Sequence, residues 1–588
     1  MKTRPRINAW ARLIFALLVI FSSGASHAQS NADARFETIS TQEWKWRQLQ
    51  EAGGEDNTMV RPHLPDISPE AQAARIVYLE RVRRDLDAIR TSELSPRKRV
   101  DYAVYTFQID TMLDRLRYRE FEKPLNADSS FWTDLGYVAR GTFRTESVYR
   151  NWITQLNELP RYFEQHIANM RAGRDRGFTP PKVTLTGRDS TISSVVDAAG
   201  PEQTYFYLPF KTMPSNIPRA TQAALRAEAV KAIRERVIPA HRTLLSFMRN
   251  EYVPRARESL AAEALPDGKN YYRALIRQFA SVELTADEIH AIGLSEVQRI
   301  RQQMAELMRQ TGFRGDLPAF LSQLRSDPRF YAKSADELLR EAAWITKQVD
   351  AKLPLYFGRL PRQRFTVAPV PADLAPNYTS ARGGPGAYLV NTYNLRSRPL
   401  FALRALTLHE AAPGHAFQMP LALENKEQPE FRRHFYVNAY GEGWALYCEW
   451  LGQEMGIYET PYDQFGMLSY QMWRAARLVV DTGIHAKGWT RKQAQDFLSA
   501  NTALTSHEVE TEVDRYISWP AQALGYYLGE MAFLKGRARA ETALGNRFNI
   551  RAFHDTVLSL GAVPLPVLEQ EVDRFISSGG VGPYPDED

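Results

Sequence analysis

The segment His409-Glu410-Ala411-Ala412-Pro413-Gly414-His415 places two imidazoles and a carboxylate within seven residues. In the HExxH arrangement of zinc peptidases the two histidines stand four apart on one helix face. Both rings then reach one metal ion, and the glutamate between them serves as general base. Here the second histidine comes six residues after the first. On a regular helix that separation turns the rings apart by roughly 240° and raises them about 9 Å, so an unbroken helix cannot bring them to one ion. Pro413-Gly414 changes the geometry, because proline cannot continue helical hydrogen bonding and glycine accepts torsions closed to other residues. The reading therefore demands a distorted helix between Ala412 and His415.

A catalytic zinc site also needs a third protein ligand, with water in the fourth position. Tyr440-Gly441-Glu442-Gly443-Trp444-Ala445-Leu446-Tyr447-Cys448-Glu449 supplies two carboxylates seven residues apart, which share a face of a helix. Glu442 is taken as the ligand, with Glu449 the alternative; in the first case Glu449 makes an outer hydrogen bond or a salt bridge. In that scheme the ion acidifies a water and polarises a carbonyl, and Glu410 takes the proton. An isolated His-Glu pair is usually an ordinary helix surface; the glutamate-bearing helix lifts this one above that reading. Cys448 reads as a small buried residue rather than a nucleophile.

The elements that must position these groups are mostly helical. Apolar residues recur at helical spacing over 71–89 (Ile76, Leu79, Val82, Leu86, Ile89), over 219–249 with a kink at Pro239, and over 286–312, which Gly312 ends. Another helix runs to about Val349, with Ser334 and Glu337 spaced as a capping box. From Arg404 onward helical patterns alternate with short Gly/Pro breaks, and Leu403 to Leu408 is the apolar run that carries His409. Strand patterns are few: 204–208, 364–370 and 387–393, the last following the turn-forming Arg382-Gly383-Gly384-Pro385-Gly386. Residues 29–65 read as a weakly patterned lead-in. The expectation is one large, mainly α unit over 29–588, in two helical lobes around a cleft, with a small β-sheet beside the centre.

The chain opens like an export signal. Lys2, Arg4, Arg6 and Arg12 precede the apolar run Leu13 to Phe21, and Ser26-His27-Ala28 offers a cleavage site after Ala28. A retained membrane anchor is the alternative, and no cysteine follows to carry a lipid. The formal net charge is +6, and residues 1–28 hold four basic and no acidic side chains, which leaves +2. No nucleic-acid or membrane-surface partner follows from that balance. One cysteine in 588 residues excludes an internal disulfide framework.

HEAAPGH followed by YGEGWALYCE resembles the bacterial domain of unknown function 885 family. The resemblance continues through Arg477 to Trp489, which includes Asp481 and His485, then Arg515-Tyr516-Ile517, Pro520 to Tyr526, Phe553-His554-Asp555 and Gly561 to Leu565. The family is distantly similar to helical zinc carboxypeptidases and oligopeptidases such as angiotensin-converting enzyme and carboxypeptidase Taq. That likeness implies a zincin-like fold, His409, His415 and Glu442 on one zinc ion, and Glu410 as base. Many members have a second histidine where this chain has Ala416, a position not needed as a ligand. The resemblance also implies a late tyrosine that binds the oxyanion: Tyr526 first, Tyr516 second, with core packing the plainer alternative for both. Strand 387–393, with Tyr388 and Asn391, would suit pairing with a peptide backbone at a sheet edge. Arg477 and His485 would bind a substrate carboxylate or else pair with Asp481.

Three functions compete: a periplasmic or secreted zinc peptidase acting on short peptides, a non-catalytic peptide-binding envelope protein, and a metal-dependent hydrolase of another amide or ester. The intact His, Glu and His favour a catalyst over a binder. Amino-, carboxy-, di- and oligopeptidase modes stay equally open.

Overall fold

The computed structural model describes residues 31–50, 60–127, 129–372 and 374–584. The expected signal segment 1–28 lies outside them. The protein is mainly helical, with one small three-stranded sheet, and no helix among the described residues is long and apolar enough to cross a membrane.

Apolar side chains collect in two large cores. One is built from residues between Val60 and Ala256, with Trp152, Phe163, Phe206 and Leu244 at its centre. The other is built mostly from residues between Ala262 and Phe575, joined by Val100, Val104 and Phe178, and includes Leu408, Trp444, Cys448 and Leu478. The expected lead-in is instead a helix at its start. Residues 31–48 are helical, and Phe36 packs there with Leu79, Leu86 and Tyr105 in a third cluster. Its few apolar positions make too weak a stripe to read from sequence.

Most expected helices are present: Pro69–Asp87, Ala286–Gln310 and Ala335–Asp350. Ser334 accepts a bond from the Glu337 amide (3.1 Å), but Glu337 turns to the Lys333 amide (2.6 Å), so only half of the capping box forms. The stretch 219–249 is interrupted as Pro239 implied: a π-helical turn, Ile233–Val237, precedes the helix Ile238–Phe247. The expected strand at 204–208 is wrong. Tyr205–Tyr207 is a 3-10 turn leading into a short helix, with Phe206 buried among aromatic rings; a short apolar run alone does not separate a buried helical turn from a strand.

The sheet comprises β1 (Thr366–Pro369), β2 (Ala381–Gly384) and β3 (Ala387–Val390). Its order is β1-β3-β2, with β1 parallel and β2 antiparallel to β3. Pro385 and a left-handed Gly386 (φ +84°) make the β2–β3 turn, the residue pair that a type II turn favours. The expected edge strand, β3, is therefore central and has no free edge. The edge that faces the histidines belongs to β2, part of what reads in sequence as a turn cluster.

Two long C-terminal helices complete the frame. Pro461–Lys487 starts with a full capping box between Thr460 and Asp463 and ends at a left-handed Gly488. Leu524–Leu544 crosses the helix Asn438–Leu451 so closely that a Cβ on Gly443 would lie 2.4 Å from the Gly529 backbone.

Candidate functional site

His409 and Glu410 end the helix Leu400–Glu410, which is apolar almost all round and buried. Ala411 leaves helical torsions (φ −90°, ψ −112°), Ala412–Pro413 is a cis peptide, and a new helix begins at His415. Between them the Gly414 amide donates to Leu408 O at 3.0 Å, so the chain folds back on the helix it has left. A Cβ at position 414 would sit 1.8 Å from His409 O, which is why glycine occupies it. The break returns His415 to His409, with ring centroids 4.9 Å apart and planes at 87°. The distortion demanded by the six-residue spacing is present.

Glu442 meets both rings from the second helix. Its Oε2 lies 3.4 Å from Nε2 of His409 and 3.4 Å from Nε2 of His415. One donor atom from each of His409, His415 and Glu442 falls within 4.8 Å of the others. Trp444 Nε1 donates to Pro413 O (2.8 Å) and ties this helix to the break. Two turns on, the fully buried Glu449 lies 2.7 Å from His409 Nδ1. That contact keeps the proton on Nδ1 and leaves Nε2 facing Glu442, the outer arrangement that orients metal-ligating histidines.

The electrostatics follow from these contacts. Burial works against a charged His409, but its hydrogen bonds to Glu442 and Glu449 outweigh it and push the pKa up to about 9. Burial likewise disfavours the Glu442 carboxylate, yet His415 and His409 hold it well below the usual carboxylate range. The cluster is thus two imidazoles and an ionised carboxylate converging on one point. It could hold a divalent cation in exchange for a proton.

Glu410 stands beside this point. Its Oε2 accepts the Gly383 amide of β2 at 2.6 Å. A Cβ on Gly383 would lie 1.7 Å from Glu410 O, so glycine lets the strand edge press against the helix end.

The remaining expected residues divide. Tyr526 lies in the site's wall: its hydroxyl accepts from Arg515 (3.4 Å), and it neighbours Tyr436, which hydrogen-bonds Glu442. Tyr516 does not serve as a free donor. Its buried hydroxyl receives Trp473 Nε1 (2.9 Å) and Arg477 Nε (2.8 Å) and donates to Glu512 (2.7 Å). Arg477 is buried behind Tyr526, 4.3 Å over its ring, and paired with Glu512 at 3.0 Å, so it backs the tyrosine and does not reach a ligand. Asp481 takes Tyr272 (2.5 Å) and the Ala521 amide instead of Arg477 or His485. His485 is also a structural residue. Its ring binds the Ala262 amide (3.0 Å) and Tyr516 O (2.9 Å), and burial pushes its pKa down to about 3, so it carries no charge for a carboxylate. Tyr388 points into the core toward Thr407 (3.1 Å). Asn391 is fully buried and braces the loop before β2 through the carbonyls of Ala375, Tyr378 and Thr379.

Two tyrosines around the site escape a sequence reading. Tyr436 is the clearest omission. Burial and Glu442 push its pKa well above the phenol range. The available signal was Gly441, where a Cβ would lie 2.4 Å from the Tyr436 hydroxyl. Tyr378 is a second: burial pushes its pKa up against the opposing Arg382, which hydrogen-bonds it, and Glu410 is among its charged neighbours.

The fold and this cluster define a mainly helical protein with a two-histidine, one-glutamate centre beside a strand edge. Residues 49–572 match the family described as "Bacterial protein of unknown function (DUF885)", and the chain belongs to it. A lipoprotein candidate from Colwellia psychrerythraea is 27% identical, with a TM-score of 0.84 over 94% of this chain and 99% of its own. A second lipoprotein candidate, of unknown function, from Shewanella oneidensis is 17% identical, with a TM-score of 0.65 over 91% and 98%. Among curated proteins nothing matches this sequence.

Proposed function

We propose that this protein is an exported, zinc-dependent peptidase with a zincin-like arrangement that hydrolyses short peptides. The observation that carries the reading is the convergence of His409, His415 and Glu442 within 4.8 Å, with Glu410 next in sequence to one ligand. Two imidazoles and one carboxylate suit zinc. Zinc bound there would acidify a water and polarise the scissile carbonyl.

The protein's own groups supply the rest. His409 and His415 present Nε2 and Glu442 presents Oε2, while Glu449 fixes the His409 tautomer. Glu410 accepts the proton of the attacking water and returns it to the leaving amine. Tyr526 donates a hydrogen bond to the oxyanion, with Arg515 at its oxygen and Arg477 behind its ring holding it in place. The peptide backbone lies along the outer edge of β2. Export is supported by the basic and apolar opening of the chain and by the description of both structural relatives as lipoprotein candidates.

The same groups would serve hydrolysis of another amide or ester. The test is metal analysis of the purified protein together with turnover of a mixed-peptide library. Zinc near one per chain is expected, with turnover lost on chelation and lowered about 10²- to 10⁴-fold in Glu410→Gln with zinc retained. Full turnover after chelation or in Glu410→Gln would overturn the proposal.

A further inference from the structure

Beside the centre lies a second feature that the mechanism leaves unused. A partly open cavity of about 40 Å³ lies between the His409 helix, the far end of the sheet and the helix Pro461–Lys487. Phe401 and Leu406 wall it on one side, Val390 on another, Tyr470 and Trp473 on a third. Leu406 precedes His409 by one helical turn. Ser380, a half-buried lining residue, stands three residues before Gly383, whose amide binds the Glu410 carboxylate. At roughly 3.3 Å per extended residue, Ser380 lies about 10 Å along the strand from Gly383.

The polar end of the cavity is already neutralised. Arg398 faces Glu508 at 3.6 Å and donates to Asn391 O (3.2 Å) and Ser397 O (2.8 Å). A free carboxylate would compete with these partners, whereas an uncharged side chain would not. The volume admits roughly three waters at 10–15 Å³ each, and hence the three or four heavy atoms of a branched aliphatic group. An aromatic ring does not fit.

We infer that this cavity is a specificity pocket for an aliphatic side chain of valine or leucine size, two or three residues from the scissile bond. The inference rests on the peptidase reading and deepens it: the substrates are short peptides with a small branched residue at that position. A peptide held on the β2 edge with its reacting carbonyl at Glu410 presents a side chain to Ser380 at that distance. A mismatch of one or more methylenes in such a pocket changes binding by tenfold or more.

The experiment uses the zinc-loaded Glu410→Gln protein, which holds peptide without cleaving it. Blocked penta-alanine peptides carry a single leucine or phenylalanine at each position in turn, and binding is followed by calorimetry. One position is expected to favour leucine over phenylalanine by about tenfold. Ala402→Leu, on the cavity wall, should erase that preference, and Leu504→Ala, at its rim, should admit phenylalanine there. Peptides that bind with no leucine preference, or with a preference that neither variant moves, overturn the pocket while leaving the peptidase reading intact. Binding of none of the peptides overturns both.

Discussion

His166 and His241 in the N-terminal core and His409 in the C-terminal core are all buried, yet they titrate in opposite directions. Burial dominates in the first pair and pushes their pKa values down to about 3 and about 4, a single backbone hydrogen bond at His241 offsetting only part of it. His166 stacks on Phe131 with ring centroids 3.7 Å apart, and His241 keeps one bond, to Val237 O (2.9 Å). His409 pays the same desolvation and still rises to about 9, because Glu442 and Glu449 bind its two nitrogens. A buried histidine is therefore not a site by itself. Carboxylates on both ring nitrogens make the difference, and they come from one helix at a seven-residue interval.

Removing those carboxylates should turn the second region into the first. Glu442→Gln has the largest expected effect, because it deletes a ligand: metal retained after dialysis and peptide turnover should both fall by more than 100-fold. A Glu442→Gln protein that kept one zinc per chain would break the comparison at its strongest point. Glu449→Gln should act in the same direction but less, weakening zinc 10- to 100-fold in a chelator competition, as outer partners of ligating histidines do. Unchanged affinity would reduce Glu449 to a packing residue.

The N-terminal pair predicts a smaller, global effect. Above pH 6.5 both rings are neutral whether the chain is folded or unfolded. Below it the unfolded chain takes up protons that the buried rings refuse, so stability is lost as pH falls from 6.5 toward 4 and 3. The slope is up to about 1.4 kcal/mol per pH unit for each histidine. His485 and His554, both pushed down to about 3, add the same sign. His166→Phe should therefore flatten, without abolishing, the decline in unfolding free energy between pH 7 and pH 5 in urea titrations. Parallel declines in the two proteins would show that His166 is not the titrating group.

The centre was legible in the sequence because its spacing was wrong. A six-residue interval fails on a helix, and only Pro413-Gly414 between the histidines, with a glutamate pair downstream, makes it meaningful. The substrate-side residues were not legible. Alternation in 387–393 shows that Tyr388 and Leu389 face opposite ways, but not that β3 is central or that Tyr388 takes the core side. Arg477 and His485 carry the chemistry of ligand binding, and only burial beneath Tyr526 and Tyr516 shows that they support the wall. Tyr436 and Arg515 lie outside any periodic pattern, and their roles come from the crossing of helices far apart in the chain. The helix at 31–48 was missed for a related reason: its apolar stripe is narrow, and its partners are other helices.

One contact described above sets the tolerance of the whole centre. At Gly443 and Gly529 two helices touch backbone to backbone, and a Cβ on either would meet main-chain atoms at 2.4 or 2.0 Å. No side chain lies in that seam to bend or repack. Glu442, beside Gly443, and Tyr526, one turn before Gly529, are thus mounted on a single stiff joint and keep their spacing as a machined part does. Even an alanine in the joint would wedge it open by about 1 Å, a misplacement that can cost 10²-fold in rate without touching a reacting group.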